Sequence, residues 1–458
     1  MLAGIIERGR RSQLGGLGRD SFYAAIWQGA FSVADLVQIV LITHTLGLDE
    51  YGRLALVFAF VALVGQFFDV RVSYATMTFG ARKVGHDMPA AAGIFQFSYL
   101  IDSLTGLVGF AVVVAAAPFV GPALIGGDGT ALIILCAIAR LTVTADPSSI
   151  TVLRLLDRFR VIAGYGLFLE VLRVVLVVVV LQTSYGLAGL LVALIAYELI
   201  KAAGNTILAF RAFHKIAGGV RLAQPALHRV RDERRGMLGM LFHTNLVTYA
   251  RLTQTQVPTL LLGALVGTRE VGVYKVAAAA ASAAGRLADP VTVAVLPRLS
   301  RLSAAGRGGE IRQLVKRASL VSVPTMAAVL ALVVVFRSPI LDGIGGGAAA
   351  AAGTGVLILL GLAQALNGAL FWNAATLYAT GRSATMARIV LFAAAVQLLA
   401  LPGLIIAFGA TGAALAFLVS MVLINLLATR AALSAIKHDR PAPPAAAHEI
   451  DMPAAAQP

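Results

Sequence analysis

The sequence predicts an all-α polytopic membrane protein of about twelve transmembrane helices, arranged as two six-helix lobes related by a parallel repeat. Three observations predict it: an apolar composition, a succession of span-length apolar stretches, and an internal duplication at an offset near 220 residues. Of the 458 residues, 59% are apolar and only 13% charged, and the mean hydropathy is +0.86. Soluble domains carry about a quarter charged residues, so soluble enzyme classes are excluded. From Ser21 to Ala435 one apolar stretch follows another, each long enough to cross a hydrocarbon core of about 30 Å as a helix.

In chain order, residues 1–20 form a basic segment with little apolar bulk. The apolar run after it is too long for a secretory leader and lacks a small-residue cleavage site, so the first helix is expected to stay in the mature chain. Charged, Gly and Pro breaks then delimit spans near 21–46, 52–79, 93–118, 124–146, 161–182 and 186–210. A basic linker, 211–236, follows; its RVRDERRG run at 229–236 predicts an interfacial helix on anionic lipid. The second lobe, 237–434, holds spans near 237–263, 269–297, 318–336, 355–379, 386–408 and 411–434. The tail from 435 to 458, with five prolines in its last 21 residues, is expected to be disordered.

Orientation comes from the cations. Alternate connections, beginning with residues 1–20, hold 27 of the 37 Lys and Arg, and the other six hold only Arg53, Arg269 and Arg337. The positive-inside rule then places both termini in the cytoplasm. The net charge of +15 reads as this orientation signal and as contact with membrane lipids, with no nucleic-acid partner. Every outward connection is short, the Gly/Ala-rich stretch 337–354 being the longest, which argues against a glycosyltransferase, polymerase or ligase domain outside.

The duplication appears at three places. LGLDEYG at 46–52 aligns with VGTREVG at 266–272, and the same offset carries Asp69 onto Asp289. Leu153 and Arg158 fall on Leu377 and Arg382, and YGLAGLLVA at 185–193 falls on FGATGAALA at 408–416. Six spans is an even number, so both copies enter the membrane from one side and are related by an axis along its normal. Two lobes flanking a cleft are the architecture of alternating access.

Polar residues inside the spans are the candidate site, because ionisable groups in hydrocarbon face a wet cavity or each other. Gln28, Ser32 and Asp35 share one face of the first helix, and Thr244, Thr248, Arg251, Thr255 and Thr259 share one face of its duplicate. Lys275, Ser282, Arg286 and Asp289 form another stripe. Arg140 and Asp102 lack a local partner, whereas Glu170 with Arg173, Glu198 with Lys201, and Arg286 with Asp289 are i, i+3 pairs able to neutralise each other. Cationic Arg251, Arg140, Arg286, Arg173 and Lys275, with Gln28, Thr248 and Thr255, are candidates for binding an anionic substrate. Asp35, Asp69, Asp102 and Asp289 are candidates for a coupling ion, since burial raises a carboxylate's proton affinity. Cys136 is the single cysteine, which excludes an intramolecular disulfide and a thiolate metal cluster. No Gly-Lys dipeptide and no HExxH occurs, so neither a P-loop, a metal nor a cofactor is expected, and the chain does not read as an enzyme.

LGLDEYGRLALVFAFVALVGQFFDVRVS at 46–73 and EVGVYKVAAAAASAAGRLADPVTVAVLPRLSRL at 270–302 resemble the signature of bacterial polysaccharide-biosynthesis flippases. The resemblance implies the multidrug/oligosaccharidyl-lipid/polysaccharide (MOP) exporter superfamily and a MATE-like fold of two lobes about a central cavity. It further implies a substrate, undecaprenyl-diphosphate-linked oligosaccharide, carried to the outer leaflet of the inner membrane for O-antigen, capsule or exopolysaccharide synthesis. A polysaccharide polymerase and glycosyltransferases would be its partners. Arginine suits such a diphosphate, which it grips through two parallel hydrogen bonds. A cation-coupled multidrug exporter and a lipid II flippase are the alternatives of the same architecture.

Overall fold

The computed structural model describes residues 2–68, 72–142, 145–217, 252–286, 301–303 and 305–437, with isolated positions within 218–251 and 287–300. The side chains of 2–28, and those of residues 74, 139, 140 and 142, are outside the described set. Helices account for the described chain: α1 (Leu2–Phe68), α2 (Val72–Gly80), α3 (Met88–Leu124), α4 (Gly129–Thr142), α5 (Asp146–Leu155), α6 (Phe159–Leu181) and α7 (Gly186–Ile216). After them come α8 (252–265), α9 (Thr268–Gly285), α10 (Gly308–Val335), α11 (Arg337–Ala369), α12 (Trp372–Ala379) and α13 (Ser383–Lys437).

Among the described residues seven helices are long and apolar enough to cross a membrane, the longest covering 29–68, 88–124 and 383–436, and the chain is a multi-pass membrane protein. The difference from twelve expected spans has physical causes. Gly47 breaks α1 and Gly409 breaks α13, so each of these is two helices joined across a kink. The expected span 355–379 is divided between α11 and α12 at Leu370. The expected spans 237–263 and 269–297, and the linker at 211–236, lie partly outside the described residues.

The turns carry the repeat in their backbone. Among the described residues, those with positive φ fall into five pairs, 220 to 224 positions apart: Gly47 and Gly267, Gly85 and Gly306, Gly126 and Gly346, Asp157 and Gly381, Gly186 and Gly409. The equivalent turns also reuse one hydrogen bond, since Arg158 N donates to Leu153 O at 2.9 Å and Arg382 N donates to Leu377 O at 2.8 Å. Only three of these pairs lie in the segments whose sequences align visibly. A left-handed residue is a steric exception for any side chain but glycine's, so its position outlasts the letters around it.

The chain forms two compact units, one of Met1–Ala279, Ser338–Thr354 and Leu401–Ala413, the other of Ala280–Arg337, Gly355–Ala400 and Ala414–Pro458. Two apolar clusters are described in the first unit. One gathers residues next to the turns at Gly47, Gly126 and Gly186, with Ile42, Leu54, Ile133, Val177, Leu190 and Leu191 at its centre. The other surrounds Phe95 and Phe213, whose rings meet edge to face at 5.8 Å, with Val72, Leu153 and Ile162. Along α6 the charges at Glu170 and Arg173 fall between Ile162 and Val177, and along α7 Glu198, Lys201 and Asn205 fall between Leu191 and Ala209. A polar layer thus separates two dry ones.

The first unit also takes in the turns at Gly267, Gly346 and Gly409. Thr268 Oγ1 donates to Asp49 Oδ1 at 3.0 Å, Thr43 Oγ1 donates to Ile344 O, and Ala410 N donates to Glu270 Oε2 at 3.2 Å. In the second unit Asn373 Nδ2 donates to Asn425 Oδ1 at 3.0 Å, joining α12 to the second half of α13.

Candidate functional site

The polar layer of the first unit brings together residues that lie far apart in sequence. Arg173 is buried at 8% exposure. Its Nη2 pairs with Glu170 Oε2 at 2.8 Å and its Nη1 lies 4.0 Å from Asp35 Oδ1. The guanidinium sits 5.1 Å from the centre of the Phe31 ring, and donates to the Phe31 carbonyl at 3.4 Å. One helix turn supplies Glu170 and Arg173 to each other, and α1 supplies Asp35 and Phe31 from across the interface. Arg173 therefore serves two carboxylates and an aromatic face at once.

On α7, Lys201 Nζ pairs with Glu198 Oε2 at 2.5 Å and lies 5.5 Å from the centre of the Tyr197 ring. One turn farther on, Asn205 Nδ2 donates to Asp146 Oδ1 at 2.6 Å. Asp102 is buried and accepts a hydrogen bond of 2.5 Å from Ser148 Oγ, which also meets Ser98 Oγ at 2.6 Å. Tyr99 Oη meets Ser149 Oγ at 2.9 Å, and Ser149 meets Thr206 at 3.1 Å. Asp102 was read from the sequence as lacking a local partner, and the partner it has stands 46 positions away on α5, beyond the reach of any local spacing rule.

The layer holds five carboxylates, of Asp35, Asp102, Asp146, Glu170 and Glu198, and two cations, of Arg173 and Lys201. It can accept cations or protons and carries its negative charge on hydroxyl and amide donors. Asp146, Asn205 and the Ser148, Ser149 and Thr206 hydroxyls were not singled out from sequence. The signal was present as an aspartate and three hydroxyls in Asp146-Pro-Ser-Ser-Ile-Thr151, at the margin of a span where a charge looks ordinary.

The other candidates are dispersed. Lys275 is half-buried on α9, with no ion-pair partner among the described residues. Arg286 follows the end of α9 and is half-buried, and Thr255 is exposed on α8. Gln28 and Arg140 stand on α1 and α4, but their side chains are outside the described set. Asp69, Thr248, Arg251 and Asp289 lie outside the described residues. A basic pocket that sequence reading did not single out lies in the second unit. Arg298, Arg301 and Arg317 line it with Leu302, Leu314, Gln313 and Glu310, about a volume of 360 Å³. Glu310 pairs with Arg307, and three guanidinium groups stand in the lining with it.

Three comparisons place this architecture. A multidrug resistance MATE family transporter of the MOP superfamily, in an inward-facing conformation, superposes with a TM-score of 0.67 at 14% identity, over 89% of this chain and 95% of that one. A MOP superfamily transporter from Pyrococcus furiosus gives 0.66 at 13% identity, over 93% and 96%. The lipid II flippase MurJ, in an inward closed conformation, gives 0.68 at 14% identity, over 91% and 89%. At these identities the likeness is one of fold. No curated protein matches the chain. The family model described as polysaccharide biosynthesis protein matches residues 17–303, well over half of the sequence, and the chain belongs to that family.

Proposed function

We propose that this protein is a flippase of the bacterial inner membrane, moving undecaprenyl-diphosphate-linked oligosaccharide to the outer leaflet by alternating access of two six-helix lobes. Membership of the polysaccharide biosynthesis family carries the reading. The paired turns support the two lobes, 21–210 and 237–434, and the basic connections support cytoplasmic termini. A lipid diphosphate brings concentrated negative charge, which arginine recognises better than lysine because its planar fork matches two oxygens.

In this reading Arg298, Arg301 and Arg317 receive the diphosphate at the cytoplasmic face. Arg251, Arg140, Arg286 and Lys275, with Gln28, Thr248 and Thr255, line the path between the lobes. Arg173, tied to Glu170 and Asp35, belongs to the energy-coupling layer more than to the substrate path. Asp35 and Asp102 carry the coupling cation there, and Asp69 and Asp289 mark equivalent positions of the two lobes. Glycosyltransferases stand before the transport step and a polymerase after it.

The acid-rich layer also fits a second reading, a cation-coupled multidrug exporter, because carboxylates within the membrane attract cationic compounds. One experiment separates them. In cells lacking the gene, with synthesis of the lipid-linked intermediate intact, the flippase reading expects the intermediate to accumulate in the cytoplasmic leaflet and to be released on complementation. Normal delivery to the outer leaflet, in a strain with no second flippase, refutes it and favours the exporter.

A further inference from the structure

The repeat aligns Leu48 with Thr268 and Gly52 with Gly272, and the structure brings these two pairs against each other. A Cβ built on Gly52 would strike the carbonyl oxygen of Thr268 and lie 3.1 Å from Gly272 N. A Cβ built on Gly272 would strike the carbonyl oxygen of Leu48. Each lobe's glycine thus seats the other lobe's turn, and each seat is the image of the other under the repeat. Contact of backbone with backbone is close enough here that neither position has room for a side chain, as in the small-residue crossings of membrane helices.

The surroundings close the same junction. Thr268 donates to Asp49, Thr43 donates to the Ile344 carbonyl, and His44 Nε2 lies 3.2 Å from the Gly343 carbonyl. Gly263 is filled over by the Leu56 side chain. Leu48 and Thr43 are buried, at 8% and 4% exposure. All of this lies in the first unit, at the turns that the charge pattern puts outside.

We infer that Gly52 and Gly272 form a two-seated clasp that shuts the outer end of the transport path, and that the absence of a side chain at these positions sets how readily it shuts. The inference rests on the transport reading above and adds to it the residues of the outer closure. The seats are made of backbone groups, so no titration or ligand is needed to close them. Their strength depends on interatomic distance alone, and one methyl group in either seat pushes the turns apart. Because the seats are symmetric, Gly52→Ala and Gly272→Ala should act alike, and the double variant should act more strongly than either.

The test uses the full chain with Cys136→Ala and Leu48→Cys, in whole cells, with a membrane-impermeant maleimide supplied outside. The labelling rate at position 48 reports opening without reference to any substrate. Gly52→Ala and Gly272→Ala should each raise it about tenfold, a shift of about 1.4 kcal/mol toward the open form. A conservative control, Gly164→Ala on α6, where a Cβ meets nothing within 4 Å, should leave it unchanged. A second measurement guards against misfolding: Asp49→Cys with Thr268→Cys, oxidised across the junction, should protect position 48 and stop transport until a reductant is added. Labelling rates unchanged in both alanine variants, or full transport by the crosslinked chain, would overturn the clasp. Faster labelling in the alanine variants, with normal outer-leaflet delivery in cells lacking the gene, would keep the clasp and refute the flippase reading instead.

Discussion

Removing the Glu170 carboxylate takes from Arg173 its nearest counter-charge, and the structure sets the expected cost. The side chains of Arg173 and Glu170 are 10% and 7% exposed, so neither charge is rehydrated when the other is deleted. Breaking a buried pair from one side costs about 3–5 kcal/mol, whereas replacing both partners by apolar groups of similar volume is close to neutral. After Glu170→Leu, Arg173 still has Asp35 at 4.0 Å and the Phe31 ring, which puts this loss near the lower end, about 3 kcal/mol. After Arg173→Met the stranded group is a carboxylate with no second cation among its described ion pairs, which puts that loss near the upper end, about 5 kcal/mol. Glu170→Leu with Arg173→Met should cost about 1 kcal/mol, so the coupling within the cycle is several kcal/mol. Reversible unfolding of the purified protein in mixed micelles, followed by circular dichroism, measures all four corners. A coupling below about 0.5 kcal/mol would mean that water reaches the pair and screens Arg173 from Glu170.

Other expectations follow from the same geometry. Ser148→Ala removes the donor to buried Asp102 and should destabilise the chain by about 1.5–3 kcal/mol, read in the same unfolding assay, while Ser148→Thr keeps the hydroxyl and should recover most of it. Asp35→Asn removes the charge 4.0 Å from Arg173 Nη1 and should lower transport measured in cells; unchanged transport would remove Asp35 from the coupling layer. Arg298→Gln, Arg301→Gln and Arg317→Gln together should weaken retention on vesicles carrying a polyprenyl diphosphate by tenfold or more, about 1.4 kcal/mol, with little change on vesicles of zwitterionic lipid alone. Gly121→Val should abolish stable expression, because a side chain there meets the backbone of Gly129 and Thr130 where α3 turns into α4.

What was legible in the sequence was set by long-range regularity. Hydrocarbon thickness imposes a length on every span, so membrane-crossing helices are written in composition. The repeat was legible where letters survived, as in LGLDEYG and VGTREVG, and hidden where only backbone geometry survived, as at Gly126 and Gly346 or Gly85 and Gly306. Asp102 shows the other limit. Its neighbours on α3 say nothing of Ser148, because that contact is chosen by the packing of α5 on α3 and not by spacing along either helix. The stripe rule found Glu170 with Arg173, which one helix brings together, and missed Asp146 with Asn205, which two helices must meet to make. Arg298, Arg301 and Arg317 were visible only as an orientation signal, since their convergence on one pocket depends on the turn at Gly306.

The reciprocal seating of Gly52 and Gly272 also fixes an order of events during synthesis. The turn at Leu48 is made some 220 residues before its counterpart at Thr268 exists, which at about 5–20 residues per second is about 10–45 s. Throughout that interval the first half sits in the bilayer with an exposed carbonyl and an empty seat beside the buried residues of its outer cluster. The nascent chain therefore passes through a stage whose outer end is unfinished, and the last turns to be inserted are the ones that complete the first unit.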